Sequence, residues 1–471
     1  MRLFGQGASV SSDQSEQPYE GEYLGAVPLT AGELESLVDL IRAGDREKLS
    51  LTLSEMHESD VAEIIGLLTS EQRLGFMGLI GRDLPSAVFA ELDDHIRLEI
   101  VEFVDSLKLA ATLEELDSDD AVFVLEDLSE RQRDEVLELV PQSTRLVLER
   151  SLDFPDDSAG RLMQSTFVAV PPFWTVGQTI DYMRETEDLP SDFFEVYVTN
   201  EIFEPIGSVH LSQVLRAQRP VVIETLVSDD FTQIPADTDR EEVARLFERY
   251  NLVSAAVIDK SQRMIGVITP DDVFEVIVEE AGEDILLLGG VGDEAVTDTM
   301  FEAARGRFGW LFLNLLTAIA ASIVIGLFDA SIEKMVALAV LMPIVASMGG
   351  NAGTQTLTIT VRGLATQELQ AVNMMRVVYR EFGVGILNGI VFAVVTGLVA
   401  AIWFESTALG SVLAGAMIVN LVVAALAGIL IPIGLDRVGV DPAVASTVFV
   451  TTVTDVIGFL AFLSFATIFL L

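Results

Sequence analysis

Residues 341–363 read LMPIVASMGGNAGTQTLTITVRG, an apolar segment of membrane-spanning length that is interrupted by glycines and polar side chains. Its Asn351, Thr354 and Thr358 recur at steps of three and four residues, which places them on one face of a helix. Lipid offers no hydrogen bonds to such groups, so they face protein or water. The segment therefore predicts a membrane helix with one polar face.

Other apolar stretches of spanning length surround this one. Together they predict membrane helices near residues 308–328, 335–361, 382–404, 411–435 and 443–471. Arginines lie before the first span, between the second and third, and between the fourth and fifth, whereas the opposite loops hold only Lys334 as a basic residue. The positive-inside rule therefore predicts a multi-pass protein of the cell membrane whose N-terminal part is cytoplasmic.

The charge of the chain is divided unevenly. The 471 residues carry a formal net charge of −44 although 50% of them are hydrophobic, and the region from residue 307 onward is nearly neutral. Such an acid excess excludes a nucleic-acid partner because it repels phosphates. Two interpretations stay open: a surface adapted to high salt, and sites for hard cations, which prefer oxygen ligands.

The sequence predicts further divisions of the chain. Residues 1–30 predict a disordered acidic tail, because they are polar and lack the apolar core of a signal peptide. Residues 31–155 predict a helical superhelix domain, since SDVAEIIGLLTSEQR from Ser59 can be aligned with DDAVFVLEDLSERQR from Asp119. Short β-branched runs alternate with helices over 156–280 and predict two βαββα units, at about 156–220 and 221–280. A connecting helix is expected over 281–306, and the membrane domain over 307–471.

Asp455 is the acidic residue of the last predicted span. At the helical rise it lies roughly 18 Å along that span. A carboxylate at mid-membrane costs about 2.5 to 3.5 kcal/mol on insertion scales and marks a functional site unless it is protonated or paired, for example with Arg376 or Arg380. Thr447 and Thr451 precede it at steps of four residues. Two polar helix faces and one acid favour a hydrophilic passage.

The polar groups of this passage limit the ion that it suits. Carboxylate, hydroxyl and amide oxygens are hard ligands, so they favour Mg²⁺ or Mn²⁺ over Zn²⁺ or Cu⁺. The ligand chemistry does not separate Mg²⁺ from Mn²⁺ or Co²⁺. No cysteine is present, which excludes disulfides and thiolate metal sites.

Several motifs together resemble the MgtE family of magnesium channels. They are MPIVASMGGNAGTQ at 342–355, DPAVASTVFVTTVTDVIGF at 441–459, DDSAGRLMQSTFVAVPPFWTVGQTI at 156–180, and GVITPDDVFEVI at 266–277, which resembles a CBS domain. The resemblance implies a homodimer in the bilayer that imports Mg²⁺ down its electrochemical gradient through a pore lined by the second and fifth spans. The implied pore positions are Asp455, Thr451, Thr447, Thr354 and Thr358, beside Asn351. The family often has Asn at the positions of Thr354 and Thr447, which leaves ion preference open.

The resemblance also implies cytosolic Mg²⁺ sites that close the pore when Mg²⁺ is abundant. With Asp455 in the pore, the implied metal ligands are Asp239, Glu241, Asn251, Asp271, Asp272, Glu275, Glu280, Glu283 and Asp284. Like-charged carboxylates on facing domains repel, and a bridging divalent cation reverses that effect. ATP at the CBS pair is a further expectation from the family, although residues 161–280 contain no glycine-rich phosphate loop.

Two alternatives stay open. One is a channel or proton-coupled carrier for another divalent cation, Mn²⁺ or Co²⁺. The other is a membrane-anchored sensor whose CBS pair binds a nucleotide or an ion, although a simple anchor has no need of a mid-span acid. Enzyme chemistry is not expected, since His57, His95 and His210 form no HExxH or comparable motif and no Walker-type P-loop occurs.

Overall fold

The computed structural model describes residues 31–186, 189–190, 192–228, 231–291, 300–445 and 447–471. The chain divides into two compact units, one ending at Arg150 and the other running from Ser151 to Leu471. The predicted tail over 1–30 and residues 292–299 of the predicted connecting helix lie outside the described residues.

The first unit is built of short helices that each turn an apolar face inward. Their buried side chains include Leu49, Ile64, Phe76 and Phe89. Helices α1–α10 cover Ala31–Ala43, Arg46–Leu53, Glu58–Leu67, Ser70–Ile80, Ser86–Ala90, Asp94–Val101, Ser106–Glu115, Ser118–Glu126, Glu130–Leu139 and Gln142–Leu152.

An internal repeat of this unit is visible in two buried arginines. Arg73 of α4 and Arg97 of α6 each donate to the carbonyl oxygen of the residue five positions earlier. Each also pairs with an acid further along the chain, Arg73 with Glu99 and Arg97 with Asp127, at 2.5 Å. Equivalent contacts at successive steps are typical of stacked helical repeats. The predicted helical repeat architecture is confirmed.

The second unit begins with two small sheets of the same topology. In each sheet the first strand pairs in parallel with the second, and the second pairs antiparallel with the third. After α11 (Ala159–Leu162), the first sheet region contains β1 (Ala169–Val170), α12 (Val176–Glu185), β2 (Glu195–Thr199), β3 (Pro205–His210) and α13 (Leu211–Arg216). The second contains β4 (Gln233–Pro235), α14 (Arg240–Tyr250), β5 (Ala255–Ile258), β6 (Met264–Ile268) and α15 (Pro270–Gly289). The duplicated βαββα order agrees with the sequence, although the sequence did not locate the first strand of the second unit, the three-residue β4.

Among the described residues, five helices are long and apolar enough to cross a bilayer, as the sequence predicts. They are α16 (Met300–Gly326), α18 (Ala337–Ala365), α19 (Met374–Trp403), α20 (Thr407–Arg437) and α21 (Thr447–Phe469), with the short α17 (Asp329–Lys334) after the first. Helix α20 is central, since it packs against α18, α19 and α21. Helices α18 and α21, which carry the predicted polar faces, also contact each other directly.

Candidate functional site

The predicted polar face of α18 is present in the fold. Asn351 and Thr358 are exposed in the single chain, and Thr354 is half-buried between them. Asn351 Nδ2 donates to Ser347 Oγ at 3.4 Å, and Thr358 Oγ1 donates to the Thr354 carbonyl at 3.0 Å. The helix therefore carries a continuous row of side-chain oxygens on a face that is not packed away.

The other polar side chains of α18 have a different environment. Thr356 is buried and lies 3.4 Å, Oγ1 to Oε2, from Glu381 of α19. The second Glu381 oxygen accepts from Arg380 at 2.9 Å. These groups belong to the packing of α18 on α19, so the hydroxyls of α18 divide into a packing face and an open face.

Asp455 lies on α21 with Thr447 and Thr451, and all three are half-buried. Thr451 Oγ1 donates to the Thr447 carbonyl at 2.7 Å, which leaves the hydroxyl lone pairs for another ligand. Among the described residues, none donates a hydrogen bond to the Asp455 carboxylate or forms an ion pair with it. The pairing with Arg380 weighed from the sequence does not occur, because that arginine binds Glu381.

Glycines bring the two polar helices together. A Cβ added to Gly350 would lie 3.2 Å from Thr451 Cγ2, and one added to Gly353 would lie 2.4 Å from Val450 Cγ1. The approach at Gly353 leaves no room for a side chain, and that at Gly350 leaves little. The contact places the threonine side of α21 against the segment of α18 that carries Asn351.

A second group of predicted residues lies around the C-terminal half of α15. Asp239 caps α14, as the sequence predicts, by accepting from the Glu241 backbone amide at 2.9 Å. Partial burial, then the carboxylates of Glu280 and Asp239, raise the pKa of Glu241 to about 7. Burial, then the carboxylate of Asp441, raise the pKa of Asp284 to about 6, with further contributions from Glu280 and Glu283. We call Asp239, Glu241, Glu280, Asp284 and Asp441 the acidic cluster.

One arginine offsets part of this charge. Arg240 Nε lies 2.7 Å from Glu280 Oε1, its Nη1 lies 3.1 Å from Glu279 Oε2, and Asp157 approaches at 3.4 Å. The acids still outnumber the cation, and the raised pKa values of Glu241 and Asp284 reflect that excess as well as burial. Among the described residues no three carboxylate or imidazole groups stand close enough to form a ready metal site.

The remaining predicted ligands lie elsewhere. Asp271, Asp272 and Glu275 belong to the first turns of α15, and Asp271 is roughly 20 Å along the helix from Asp284 at the helical rise. Asp272 is buried, and its carboxylate accepts from Thr269 Oγ1 at 2.8 Å in a capping box. Asn251 ends α14 in the left-handed conformation, at the end opposite Asp239.

Sequence reasoning missed two residues. Asp441 follows the fourth span inside the motif DPAVAS, and its position shortly before α21, which carries Asp455, was the available signal. Asn420 is a lone amide in the otherwise apolar middle of α20, and because an isolated Asn in a span is common in helix packing, the sequence alone does not single it out.

A small cavity of about 20 Å³ lies in the CBS pair, where a nucleotide is expected from the family. Tyr197, Ser254 and Thr269 line it with groups that would suit an adenosine, but the charged members of its lining, Asp192 and Glu195, are both acids. The Glu195 carboxylate accepts from Ser254 at 2.6 Å, which joins the two sheet regions. An acidic lining repels a polyphosphate, so this cavity does not fit ATP.

Comparisons with known proteins cover most of the chain. Residues 342–465 match the family model of a divalent cation transporter, MgtE; residues 56–157 match the MgtE intracellular N domain, and residues 223–279 a CBS domain. The magnesium transporter MgtE of Thermus thermophilus is 31% identical over 92% of this chain and 98% of its own length. That of Bacillus subtilis is 28% identical over 92% and 96%. A crystal structure of the cytosolic domain of the Mg²⁺ channel MgtE in complex with ATP is 26% identical, with a TM-score of 0.48 over 52% of this chain and 99% of that one.

Proposed function

The chain belongs to the MgtE family of divalent cation transporters, and on this premise we propose that it is a Mg²⁺ channel. It is a multi-pass membrane protein whose N-terminal domain is cytosolic. The proposed channel is a homodimer that admits Mg²⁺ down its electrochemical gradient and closes when Mg²⁺ binds its cytosolic side. The observation that carries the proposal is the Asp455 carboxylate, to which no described residue donates, beside the open polar face of α18.

The pore chemistry follows from these side chains. An ionised Asp455 within the membrane requires a compensating cation, and the protein supplies none to it from the described residues. Thr447, Thr451, Thr354 and Thr358 add hydroxyl oxygens along the two faces, and Asn351 adds an amide. Mg²⁺ dehydrates reluctantly, so oxygens of this kind would hold its water shell rather than replace it. Two chains would bring two such carboxylates to one axis.

The acidic cluster supports a gate. It contains groups from the second CBS unit (Asp239, Glu241), from α15 (Glu280, Asp284) and from the loop before α21 (Asp441). Without a cation these carboxylates repel one another, which favours separation of α15 from that loop. A bound Mg²⁺ would reverse the repulsion and hold α15 against the element that leads into the pore helix. Glu283 would join this site, while Asp271, Asp272, Glu275 and Asn251 would require a separate one.

Mg²⁺ is the ion that we propose the channel transports, in preference to Mn²⁺ and Co²⁺. The matched relatives are named magnesium transporters, and the matched family model is named for divalent cations in general. Mn²⁺ and Co²⁺ share the oxygen ligands, and Asp455 alone would also serve a proton-coupled carrier. The channel proposal differs from the proton-coupled carrier because it requires that Mg²⁺ uptake proceed without an imposed proton gradient.

Uptake into liposomes tests the proposal. The purified protein is reconstituted, and Mg²⁺, Mn²⁺ and Co²⁺ entry is measured for the intact chain, for Asp455→Asn, and for Glu368→Gln as the matched control at an exposed loop acid. We expect Mg²⁺ entry without a proton gradient, a loss of roughly tenfold or more in Asp455→Asn, the size that loss of a charged contact gives, and no change in Glu368→Gln. Folded protein that passes none of these ions would overturn the channel in favour of the sensor.

A further inference from the structure

Asn420 is a buried amide in the middle of the membrane domain. Its side chain, on the central helix α20, is 0% exposed. Its Nδ2 donates to the carbonyl oxygen of Val345, in α18, at 2.7 Å. Its Oδ1 has no hydrogen-bond partner among the described residues.

The same amide lies between glycines of both pore-lining helices. A Cβ added to Gly349 of α18 would lie 2.3 Å from Asn420 Nδ2, and one added to Gly458 of α21 would lie 2.8 Å from Asn420 Oδ1. A side chain at either glycine would force the Asn420 amide to shift. One side chain of α20 thus touches α18 and α21 at once.

The energetics of this contact are unusual. A buried amide oxygen without a donor has lost its hydration without a replacement hydrogen bond, which destabilises the fold. A leucine of similar size, as at the next position, Leu421, would fill an apolar space without that cost. The one hydrogen bond that the amide makes gives little net stability in membrane interiors. Stability alone is therefore a weak reason for an amide here.

The position of the Asn420 amide between Gly349 and Gly458 gives a stronger reason for an amide at this site. Gly349 precedes Asn351 by two residues, and Gly458 follows Asp455 by three, which is about one helical turn. The amide therefore contacts both helices within about one turn of the polar side chains that they carry. The hydrogen bond to Val345 fixes its orientation, so the spacing of α18 and α21 is set by a directional contact rather than by apolar packing alone.

We propose that Asn420 is a positioning residue that sets the distance and register between the polar faces of α18 and α21, and thereby the discrimination between Mg²⁺ and other divalent cations. This inference rests on the proposed pore function. Asn420 touches no ion; it acts through the backbone positions of Asn351 and Asp455.

The test measures the ratio of Mg²⁺ to Co²⁺ uptake in liposomes, normalised to folded protein. Asn420→Leu keeps the volume and removes the hydrogen bond, Asn420→Ser keeps a small polar group, and Asn388→Ala serves as the control at an exposed amide of α19. We expect the ratio to change about fivefold or more in Asn420→Leu, the size of coupling between contacting residues. Asn388→Ala should leave the ratio unchanged.

A size exchange gives a second readout. Gly349→Ala alone should lower Mg²⁺ uptake, because its methyl group meets the amide. Asn420→Ala together with Gly349→Ala should restore uptake above that of Gly349→Ala, because the space is then free. Additive losses of uptake in the double variant would overturn the positioning role of Asn420. The same holds if Asn420 variants lower the uptake of all ions equally and in proportion to a loss of thermal stability. Intact protein that passes no Mg²⁺ would instead overturn the pore itself, so the two failures are distinguishable.

Discussion

Asp455 and Glu381 are two membrane-domain acids in opposite circumstances. Glu381 is buried between Arg380 and Thr356, so its charge is compensated within the protein. Asp455 is half-buried, and no described residue donates to it. The contrast explains why one acid is assigned to packing and the other to the ion. Mid-span position alone would not separate them.

The pKa of Glu241 gives a prediction at the same scale. Its folded pKa of about 7 lies above its ordinary value of 4.5, so the folded state binds this proton more tightly than the unfolded state does. The resulting stability is complete below about pH 4.5 and is lost as the pH rises through about 7. We expect the temperature of the thermal unfolding midpoint in Mg²⁺-free buffer to decrease as the pH rises from about 6 to about 8. The decrease should be smaller in Glu241→Gln.

The control for that experiment is on the same helix. Glu248→Gln removes an exposed acid of α14 and should keep the pH dependence of the intact chain. Identical pH profiles for Glu241→Gln and the intact chain would contradict the assignment of the proton to the acidic cluster.

At the scale of elements, α18 and α21 depend on glycine for their contact. Gly353→Ala would place a methyl group 2.4 Å from Val450 Cγ1, and overpacking of this kind costs about 1–3 kcal/mol. We expect a lower unfolding midpoint and lower Mg²⁺ uptake, both partly restored by adding Val450→Ala.

Gly383→Ala on α19 is the matched control, because nothing lies within 4 Å of the added carbon. If Gly353→Ala behaved like Gly383→Ala, the close approach of the two pore helices would be refuted.

Helix α15 and the loop before α21 yield a prediction for the gate. Asp441→Asn removes a carboxylate that faces Asp284 and so weakens the proposed Mg²⁺ site between the two elements. Loss of one charged contact is worth about 1.5–3 kcal/mol, so the Mg²⁺ concentration that half closes the channel should rise roughly tenfold or more. Asp436→Asn, an exposed acid at the end of α20, should leave that concentration unchanged when channel currents are recorded. A shift of equal size in both variants would attribute the effect to surface charge.

Elements could be predicted from the sequence to different degrees. The spans followed from apolar length, and the polar faces of α18 and α21 followed from steps of three and four residues. Strand β4 was missed because three residues ending in Pro235 carry almost no periodic signal. Asp441 and Asn420 were missed because their partners lie far away in the chain, on α15, α18 and α21. Local pattern gives a residue's face, but contact between faces requires the fold.

At the scale of the whole molecule, the acidic residues that give the net charge of −44 fall into two groups. Most acidic residues lie outside the acidic cluster, where water hydrates them and salt screens their charge. Within the cluster, Glu280 and Asp284 are half-buried, which reduces screening there. In the proposed gate, a divalent cation bound at the cluster would change the balance of repulsion and so the arrangement of α15 against the loop before α21.

The most direct test records currents from inside-out membrane patches that contain the intact protein, with Mg²⁺ held constant in the pipette and varied on the cytosolic face. The proposed channel predicts inward Mg²⁺ current at low cytosolic Mg²⁺, closure as that concentration rises, and a current at least roughly tenfold smaller in Asp455→Asn. A current that persists at high cytosolic Mg²⁺ would contradict the gate, and a current of unchanged size without the Asp455 carboxylate would contradict the pore.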